Sequence, residues 1–286
     1  MLGSGSARTT VRLVAPAKIL VVSDSHLSVR APEANANWHA VTAVADRFDL
    51  VVHAGDMTLD GTEHPADLEH AGALLRALPV PWVAVPGNHD VGDNPSPSGG
   101  PVVTTDRLQR WMGEIGPDRW AVDIGAWTLV GINAQLFGSG LEEERQQWAW
   151  LRDRLADRRS ERPVVFVTHK PLTAPDDEVA RAPGVRFVAH PARQQIGSLL
   201  DTVRCPLVLS GHVHQHRTLR HGGRSHLWAP TTWAVLPEAL QPTVGLKQCG
   251  ALSLELGPAD EVSVTFEVPP GLRQLTIGRE IHDPYQ

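Results

Sequence analysis

Five short runs rich in Val, Ile and Leu are apolar throughout rather than at every second position, and each ends abruptly in polar residues. They lie at 18–24, 50–56, 82–90, 164–170 and 206–212. A strand with one face in water alternates in polarity, so continuous apolarity indicates strands covered on both faces, as in α/β sheets. Segments with helical spacing of apolar residues separate the runs, at 37–47, 65–78, 105–115, 141–159 and 193–203. The chain is therefore predicted to have an α/β fold.

The last third of the chain has a different pattern. The segments SHLWAPTTWAV, GALSLEL and EVSVTFEV read as strands joined by turns that contain Gly and Pro. These strands are predicted to build a second sheet. No linker divides the chain, so we expect one domain over 1–286, with a flexible N-terminal segment at 1–16 and loops at 92–100 and 173–184.

Charge and composition exclude several classes of protein. The 286 residues carry a net charge of -6 without a basic block, which argues against a nucleic acid polymer as partner. Cys205 and Cys249 are too few for a disulfide framework and are expected to be free thiols. With no secretory signal pattern and no apolar run of about 20 residues, we expect a cytoplasmic protein without a membrane partner. A homodimer is compatible with the sequence.

Carboxylate, imidazole and amide side chains stand at the ends of the five apolar runs. In an open α/β sheet ligands bind beyond the carboxyl ends of the strands, and strand residues two apart point the same way. The side chains are thus expected to meet at one sheet edge. This donor set suits Mn, Fe or Zn, and it is larger than one tetrahedral ion needs, so two metals sharing a carboxylate are predicted. The candidates are Asp24, His26, Asp56, Asn88, His169, His212 and His214.

Each of these motifs also has an ordinary structural explanation when taken alone. The GD and GNHD sequences are common in turns, and GHVH is compatible with a solvated loop. Their joint occurrence at five strand ends favours the metal site. Gly55, Gly87 and Gly211 each precede a candidate ligand, where a sharp turn or a close approach of the backbone to substrate is expected.

The order D-x-H, GD, GNHD, H, GHxH, from Asp24 to His214, resembles the calcineurin-like metallophosphoesterase superfamily. HAGDMTLDGT and VPGNHD are similar to loops of its bacterial class III cyclic-nucleotide phosphodiesterases. The resemblance implies a four-layer α/β/β/α sandwich. It also implies a role for each candidate: Asp24, His26 and His214 on one metal, Asp56 on both, Asn88, His169 and His212 on the other, and His89 on the phosphate.

The implied chemistry is hydrolysis of a phosphate ester. Two divalent ions would neutralise the phosphate oxygens and lower the pKa of a bridging water, giving a hydroxide that attacks phosphorus. His89 would protonate the leaving group, an effect of roughly 10²–10⁴-fold, with Asp90 or Asp60 as candidates to orient its imidazole. A small phosphodiester such as a cyclic nucleotide is the first substrate choice. The alternative is a phosphomonoesterase that acts on a nucleotide or other small metabolite. A nuclease is the third candidate, and a non-catalytic protein-binding scaffold is the most distant alternative.

Other residues have weaker patterns. Asn88 and His89 are expected to bind substrate, and His216, which continues the alternation beyond His214, is a further candidate for the substrate site or for supporting the metal ligands. Trp228 and Trp233 flank APTT after the metal motif, where they could line a substrate pocket or pack in the core. His53 is interpreted as a core histidine in preference to a site residue.

Overall fold

A computed structural model describes residues 9–11, 16–94, 100–157, 162–173, 186–258 and 260–281. The loops predicted at 92–100 and 173–184 fall mostly outside these ranges, as does the predicted helix end at 159. The described strands are β1 (Thr9–Val11), β2 (Ala17–Val22), β3 (Leu50–His53), β4 (Trp82–Ala84), β5 (Trp120–Ile124), β6 (Trp127–Gly131), β7 (Val164–Val167), β8 (Leu207–Ser210), β9 (Arg217–His221), β10 (Arg224–Trp228), β11 (Ala251–Leu256) and β12 (Val262–Glu267). The described α-helices are α1 (Pro32–Thr42), α2 (Pro65–Arg76), α3 (Asn88–Val91), α4 (Thr105–Glu114), α5 (Glu142–Ala156) and α6 (His190–Leu200), with 3₁₀ turns at Ala45–Arg47 and Ala134–Leu136.

The strands form two mixed sheets. One has five strands in the order β12-β11-β2-β3-β4, and the other has seven in the order β1-β5-β6-β7-β8-β10-β9. The late strands do not form a sheet of their own: β9 and β10 extend the seven-stranded sheet, and β11 and β12 extend the five-stranded one. Residues 9–11, which the sequence placed in a flexible segment, pair in parallel with β5 as an edge strand.

The two sheets pack face to face, with helices on both outer sides. Strand β2 shows why its residues are apolar throughout. Ile19 and Val21 lie in the cluster between the sheets, whereas Leu20 and Val22 lie under α1, α2 and α4. Helices α5 and α6 cover the other sheet through a cluster that includes Phe166. The described residues thus form the predicted α/β/β/α sandwich.

Proline explains where the predicted helix starts were displaced. Helix α1 begins at Pro32 rather than at 37, and Pro191 lies in the first turn of α6, which was predicted to begin at 193. Proline is tolerated in a first turn because the N–H groups there have no partner within the helix.

Two expectations from composition can be compared with the structure. Cys205 and Cys249 are buried free thiols, as predicted. Among the described helices, none combines the length and apolarity needed to cross a bilayer.

Candidate metal centre

The candidate ligands come from loops at the carboxyl ends of strands in both sheets. Asp24, Asp56 and Asn88 follow β2, β3 and β4 of the five-stranded sheet, whereas His169 and His212 follow β7 and β8 of the seven-stranded sheet. The expectation of a single sheet edge is therefore wrong. Apolar runs carry no information on which sheet a strand joins, so the sequence could not show that the site lies where two sheets meet.

The ligand pairs lie beyond the strand ends, in left-handed backbone conformations. Of the six non-glycine residues with positive φ among those described, five are candidate ligands: Asp24 (53°), His26 (47°), Asp56 (50°), His212 (71°) and His214 (55°). Strand alternation is consequently the wrong reason for their convergence. A left-handed residue costs of order 1 kcal/mol, and such strain is found where the surrounding structure enforces it. Here Asp24 N–H donates to the Gly55 carbonyl at 2.9 Å.

One set of side chains, which we name the first ligand group, consists of Asp24, His26, Asp56 and His214. All are buried, and their ligand atoms lie within 4.8 Å of one another. The Nε2 atoms of His26 and His214 are 3.2 Å apart. His214 Nδ1 donates to the Ala234 carbonyl at 2.7 Å, which leaves Nε2 with a lone pair facing the group. Burial, and then His89 and His214, hold the pKa of His26 well below its ordinary value, so the neutral imidazole is favoured.

The second ligand group consists of Asp56, His169 and His212 and shares Asp56 with the first. His169 Nε2 lies 3.2 Å from Asp56 Oδ2 and 3.2 Å from His212 Nδ1. His169 Nδ1 donates to the Ala54 carbonyl at 2.7 Å, so its Nε2 is also directed at the group.

Asn88 lies beside the second group. Its neighbour His89 donates its backbone N–H to Asp56 Oδ1 at 2.9 Å, and the Oδ1 atom of Asn88 is buried without a hydrogen-bond partner. A buried polar atom without a partner calls for an explanation such as a bound ion. A pair of divalent cations fits three features: the unpartnered oxygen of Asn88, the Asp56 carboxylate shared by the two ligand groups, and the imidazole nitrogens directed at them.

Charge within the groups favours a cation. Burial alone would raise the pKa of Asp56, but His169 and His89 hold it well below its ordinary value. Burial is the largest single influence on the pKa of His169 and lowers it, but the charge and hydrogen bond of Asp56, together with Asp24 and the Ala54 carbonyl, outweigh burial and raise the pKa to about 9. A proton therefore occupies the Asp56–His169 contact near neutral pH when no cation is present, and a metal ion must displace it.

His89 is half-buried at the edge of the groups, with its ring centroid 4.7 Å from that of His26. Its Nδ1 atom donates to the Leu59 carbonyl at 2.9 Å, which orients the imidazole. The suggestion that Asp90 or Asp60 performs this task is not supported. Asp90 accepts from the N–H groups of Gly87 and Thr58, at 2.8 and 2.9 Å.

Two of the weaker candidates have their observed contacts outside the ligand groups. His216 donates from Nδ1 to the Trp228 carbonyl at 3.0 Å and packs its ring on Phe266. Trp228 is buried in a cluster with Phe187. The other tryptophan of that segment, Trp233, has its ring centroid 4.7 Å from that of His26. Both tryptophans have the same sequence pattern, and only the fold shows that Trp233 lies at the first group and Trp228 does not.

Behind the first group, His53 is the core histidine that the sequence favoured. It is fully buried; its Nδ1 accepts from Gly55 N–H at 3.2 Å, and its Nε2 lies 2.7 Å from Ser25 Oγ. Thr232 Oγ1 donates to the same Ser25 oxygen at 3.0 Å. This network supports the backbone between Asp24 and His26.

Two of the glycines are required by the ligands themselves. A Cβ atom at Gly87 would lie 2.1 Å from Asp56 Oδ1, and one at Gly211 would lie 1.9 Å from Ser23 Oγ and 2.9 Å from Asp24 Oδ2. Only glycine permits these approaches. The sequence placed glycine correctly at the site but attributed it in part to contact with substrate.

The family model of the calcineurin-like phosphoesterases matches residues 17–216. The chain belongs to this family and is a metal-dependent phosphoesterase. It is 27% identical over 231 residues to the 3',5'-cyclic adenosine monophosphate phosphodiesterase CpdA of Escherichia coli (strain K12), covering 75% of this chain and 76% of that one. It is 28% identical over 162 residues to the glycerophosphodiester phosphodiesterase GpdQ of Enterobacter lignolyticus, covering 52% of each.

Solved structures show the same fold at low sequence identity. A dimetal phosphatase from Danio rerio superposes with a TM-score of 0.58 and 14% identity, covering 88% of this chain and 96% of that one. The purple acid phosphatase PPD1 of yellow lupin gives a TM-score of 0.60 and 14% identity, covering 94% and 55%.

Proposed function

We propose that this protein hydrolyses a small phosphodiester, with a cyclic nucleotide as the first candidate, by means of two divalent ions drawn from Mn, Fe and Zn. The observation that carries the proposal is the pair of ligand groups joined by Asp56. The similarity to a cyclic AMP phosphodiesterase supports the choice of substrate class.

The roles follow from the two groups. Asp24, His26 and His214 would hold the first ion, Asn88, His169 and His212 would hold the second, and Asp56 would belong to both groups. When bound, two such ions neutralise the anionic phosphate oxygens and lower the pKa of a water that serves as nucleophile. The left-handed turns and the imidazoles anchored to backbone carbonyls support this assignment, because they direct the donor atoms towards the two groups.

His89 is assigned the proton transfer to the leaving oxygen. The Leu59 carbonyl fixes the Nδ1 proton, so Nε2 is the atom that carries the transferable proton. Positioned proton transfer contributes typically 10²–10⁴-fold to a rate. Asn88 and His89 adjoin the shared carboxylate and are the residues we assign to contact with the phosphate.

A phosphomonoesterase is the second candidate. The chain is 28% identical over 151 residues to the serine/threonine-protein phosphatase CPPED1 of Danio rerio, covering 50% of this chain and 45% of that one. The shorter coverage makes monoesters the second choice.

A hydrolysis panel with added Mn tests both candidates. It compares 3',5'-cyclic AMP, glycerophosphocholine, a bis-aryl phosphate, an aryl monophosphate and an aryl phosphonate ester. We expect the diesters to be cleaved faster than the monoester; the reverse order would favour the phosphomonoesterase. Absence of turnover on every compound, in a protein that takes up no Mn, would contradict the proposed function.

The role of His89 is tested separately. His89→Ala should retain both equivalents of Mn, measured by elemental analysis, and lose most turnover on esters with poor leaving groups. His39→Gln, which removes an exposed imidazole on α1, is the matched control and should keep full activity. Loss of Mn from His89→Ala would show that His89 is a ligand instead.

A further inference from the structure

A buried ion pair lies next to the second ligand group. Lys170 follows His169 directly, and its ammonium donates to Asp93 Oδ1. Both partners are buried, with Lys170 1% and Asp93 5% exposed. Removing two charges from water is unfavourable unless further hydrogen bonds complete the pair. The other hydrogen bonds of Asp93 therefore indicate the structural role of this ion pair.

Gln135 completes the pair on the side of Asn88. Its amide is fully buried. With its nitrogen towards the carboxylate, it donates to Asp93 Oδ1 at 2.9 Å and its oxygen accepts from Asn88 N–H at 3.2 Å. The reversed amide would place oxygen against carboxylate and NH₂ against N–H, so the charge of Asp93 fixes this orientation.

The position of Gln135 is set by a second network, centred on Asn133. Asn133 Oδ1 accepts from Gln135 N–H at 2.9 Å and caps the 3₁₀ turn Ala134–Leu136. Gln147 on α5 binds the backbone of Asn133 twice, at 2.9 Å each, through its Oε1 and Nε2 atoms. Asn133, itself held by α5, thus fixes the backbone of Gln135, and the buried ion pair fixes its amide side chain.

We propose that Gln135 is a positioning residue for the second metal ion. It holds the backbone of Asn88, and hence its orphaned Oδ1 atom, while Lys170 and Asp93 hold Gln135. The inference rests on the proposed function, because it assigns the network to an ion at the second ligand group. None of these contacts involves the first ligand group, so the effect of Gln135 should be confined to one of the two ions.

Gln135→Met removes both hydrogen bonds while keeping an unbranched side chain of similar length. Outer partners of metal ligands typically change metal affinity by about 10–100-fold. In Mn titrations followed by calorimetry, the variant should bind the first equivalent as the wild type does and the second with a dissociation constant about 10–100-fold higher. The spin-coupled dimanganese signal in electron paramagnetic resonance should weaken in parallel.

Thr128→Val is the matched control. Thr128 lies on β6, the strand that leads to Gln135, and its buried hydroxyl donates to Asp123 Oδ1 at 2.6 Å. The substitution removes a buried hydrogen bond and keeps the side-chain shape, so general loosening of the fold would appear in both variants. Thermal unfolding of both checks that they fold.

A charge exchange distinguishes positioning from packing. Gln135→Glu sets two carboxylates against each other and should weaken the second site. The double variant Gln135→Glu with Asp93→Asn returns one carboxylate and one amide to the network and should recover much of the lost affinity. Absence of Mn from the wild type would refute the proposed function. Two tight equivalents in Gln135→Met, or no recovery in the double variant, would overturn the positioning role alone.

Discussion

Protonation of His53 should make the fold less stable as the pH falls. Burial, and then the neighbouring His169, lower the pKa of His53 from 6.5 to about 3. The unfolded chain therefore takes up a proton at this residue below pH 6.5, whereas the native protein does not until about pH 3. The stabilisation is complete above pH 6.5 and is lost progressively as the pH falls.

The magnitude follows from linkage between proton binding and folding. The full difference between the two pKa values corresponds to roughly 5 kcal/mol, at about 1.36 kcal/mol for each unit. At pH 5 the native imidazole is still neutral, so the loss relative to pH 7.5 is roughly 2 kcal/mol from this residue. That is a large fraction of the net stability of an ordinary domain.

His53→Gln isolates this contribution because glutamine does not titrate. Free energies of unfolding in urea are measured from pH 7.5 to 5 for wild type and variant at one Mn concentration, and only their difference is interpreted. The wild type should be the more stable at pH 7.5, and its advantage should shrink by roughly 2 kcal/mol at pH 5. His39→Gln should follow the wild-type curve. Parallel curves for wild type and His53→Gln would refute the reasoning.

Three further tests address the site, two of them with a matched control substitution. Asp56→Asn, which changes the shared ligand, should lose both equivalents of Mn by elemental analysis; retention of either would show that it is not shared. Gly87→Ala places a Cβ atom 2.1 Å from the Asp56 carboxylate and should reduce turnover by at least about 10²-fold. Gly197→Ala is the control, because a Cβ atom there meets no other part of the fold within 4 Å. It should leave turnover unchanged and add up to about 1 kcal/mol to the free energy of unfolding. Trp233→Leu should weaken Mn binding at the first group, and Trp228→Leu should lower only the melting temperature; the opposite pattern would exchange their roles.

The apolar runs predicted strands covered on both faces, because burial of both faces requires apolar residues throughout a strand, whereas the four-layer arrangement was implied by the family resemblance. Ile19 and Leu20 face opposite layers, and both had to be apolar. The assignment of strands to sheets left no mark on composition. Hydrogen bonds between backbones carry no side-chain signal, so β10 and β11 could not be allotted to different sheets in advance.

Within the site, residues at strand ends could be found and residues that arrive from elsewhere could not. Asp56 and His169 stand where an apolar run breaks, which makes them visible. Gln135 lies two residues beyond Asn133, and Lys170 has the appearance of a surface lysine at a strand end. Lys170 can be recognised as part of a buried ion pair only when its partner is known, and Asp93 is far from it in the chain.

The two sheets meet at the ligand groups, so metal ions bound there would also stabilise the contact between the sheets. Each group combines residues that follow strands of both sheets: Asp24 with His214 in the first, and Asp56 with His169 in the second. Ions bound there would fasten the two halves of the sandwich together at its mouth, much as a cross-link does. At 100 times its dissociation constant one such ion adds about 2.7 kcal/mol to the free energy of unfolding. Removal of the metal would therefore weaken the contact between the two sheets as well as abolish hydrolysis.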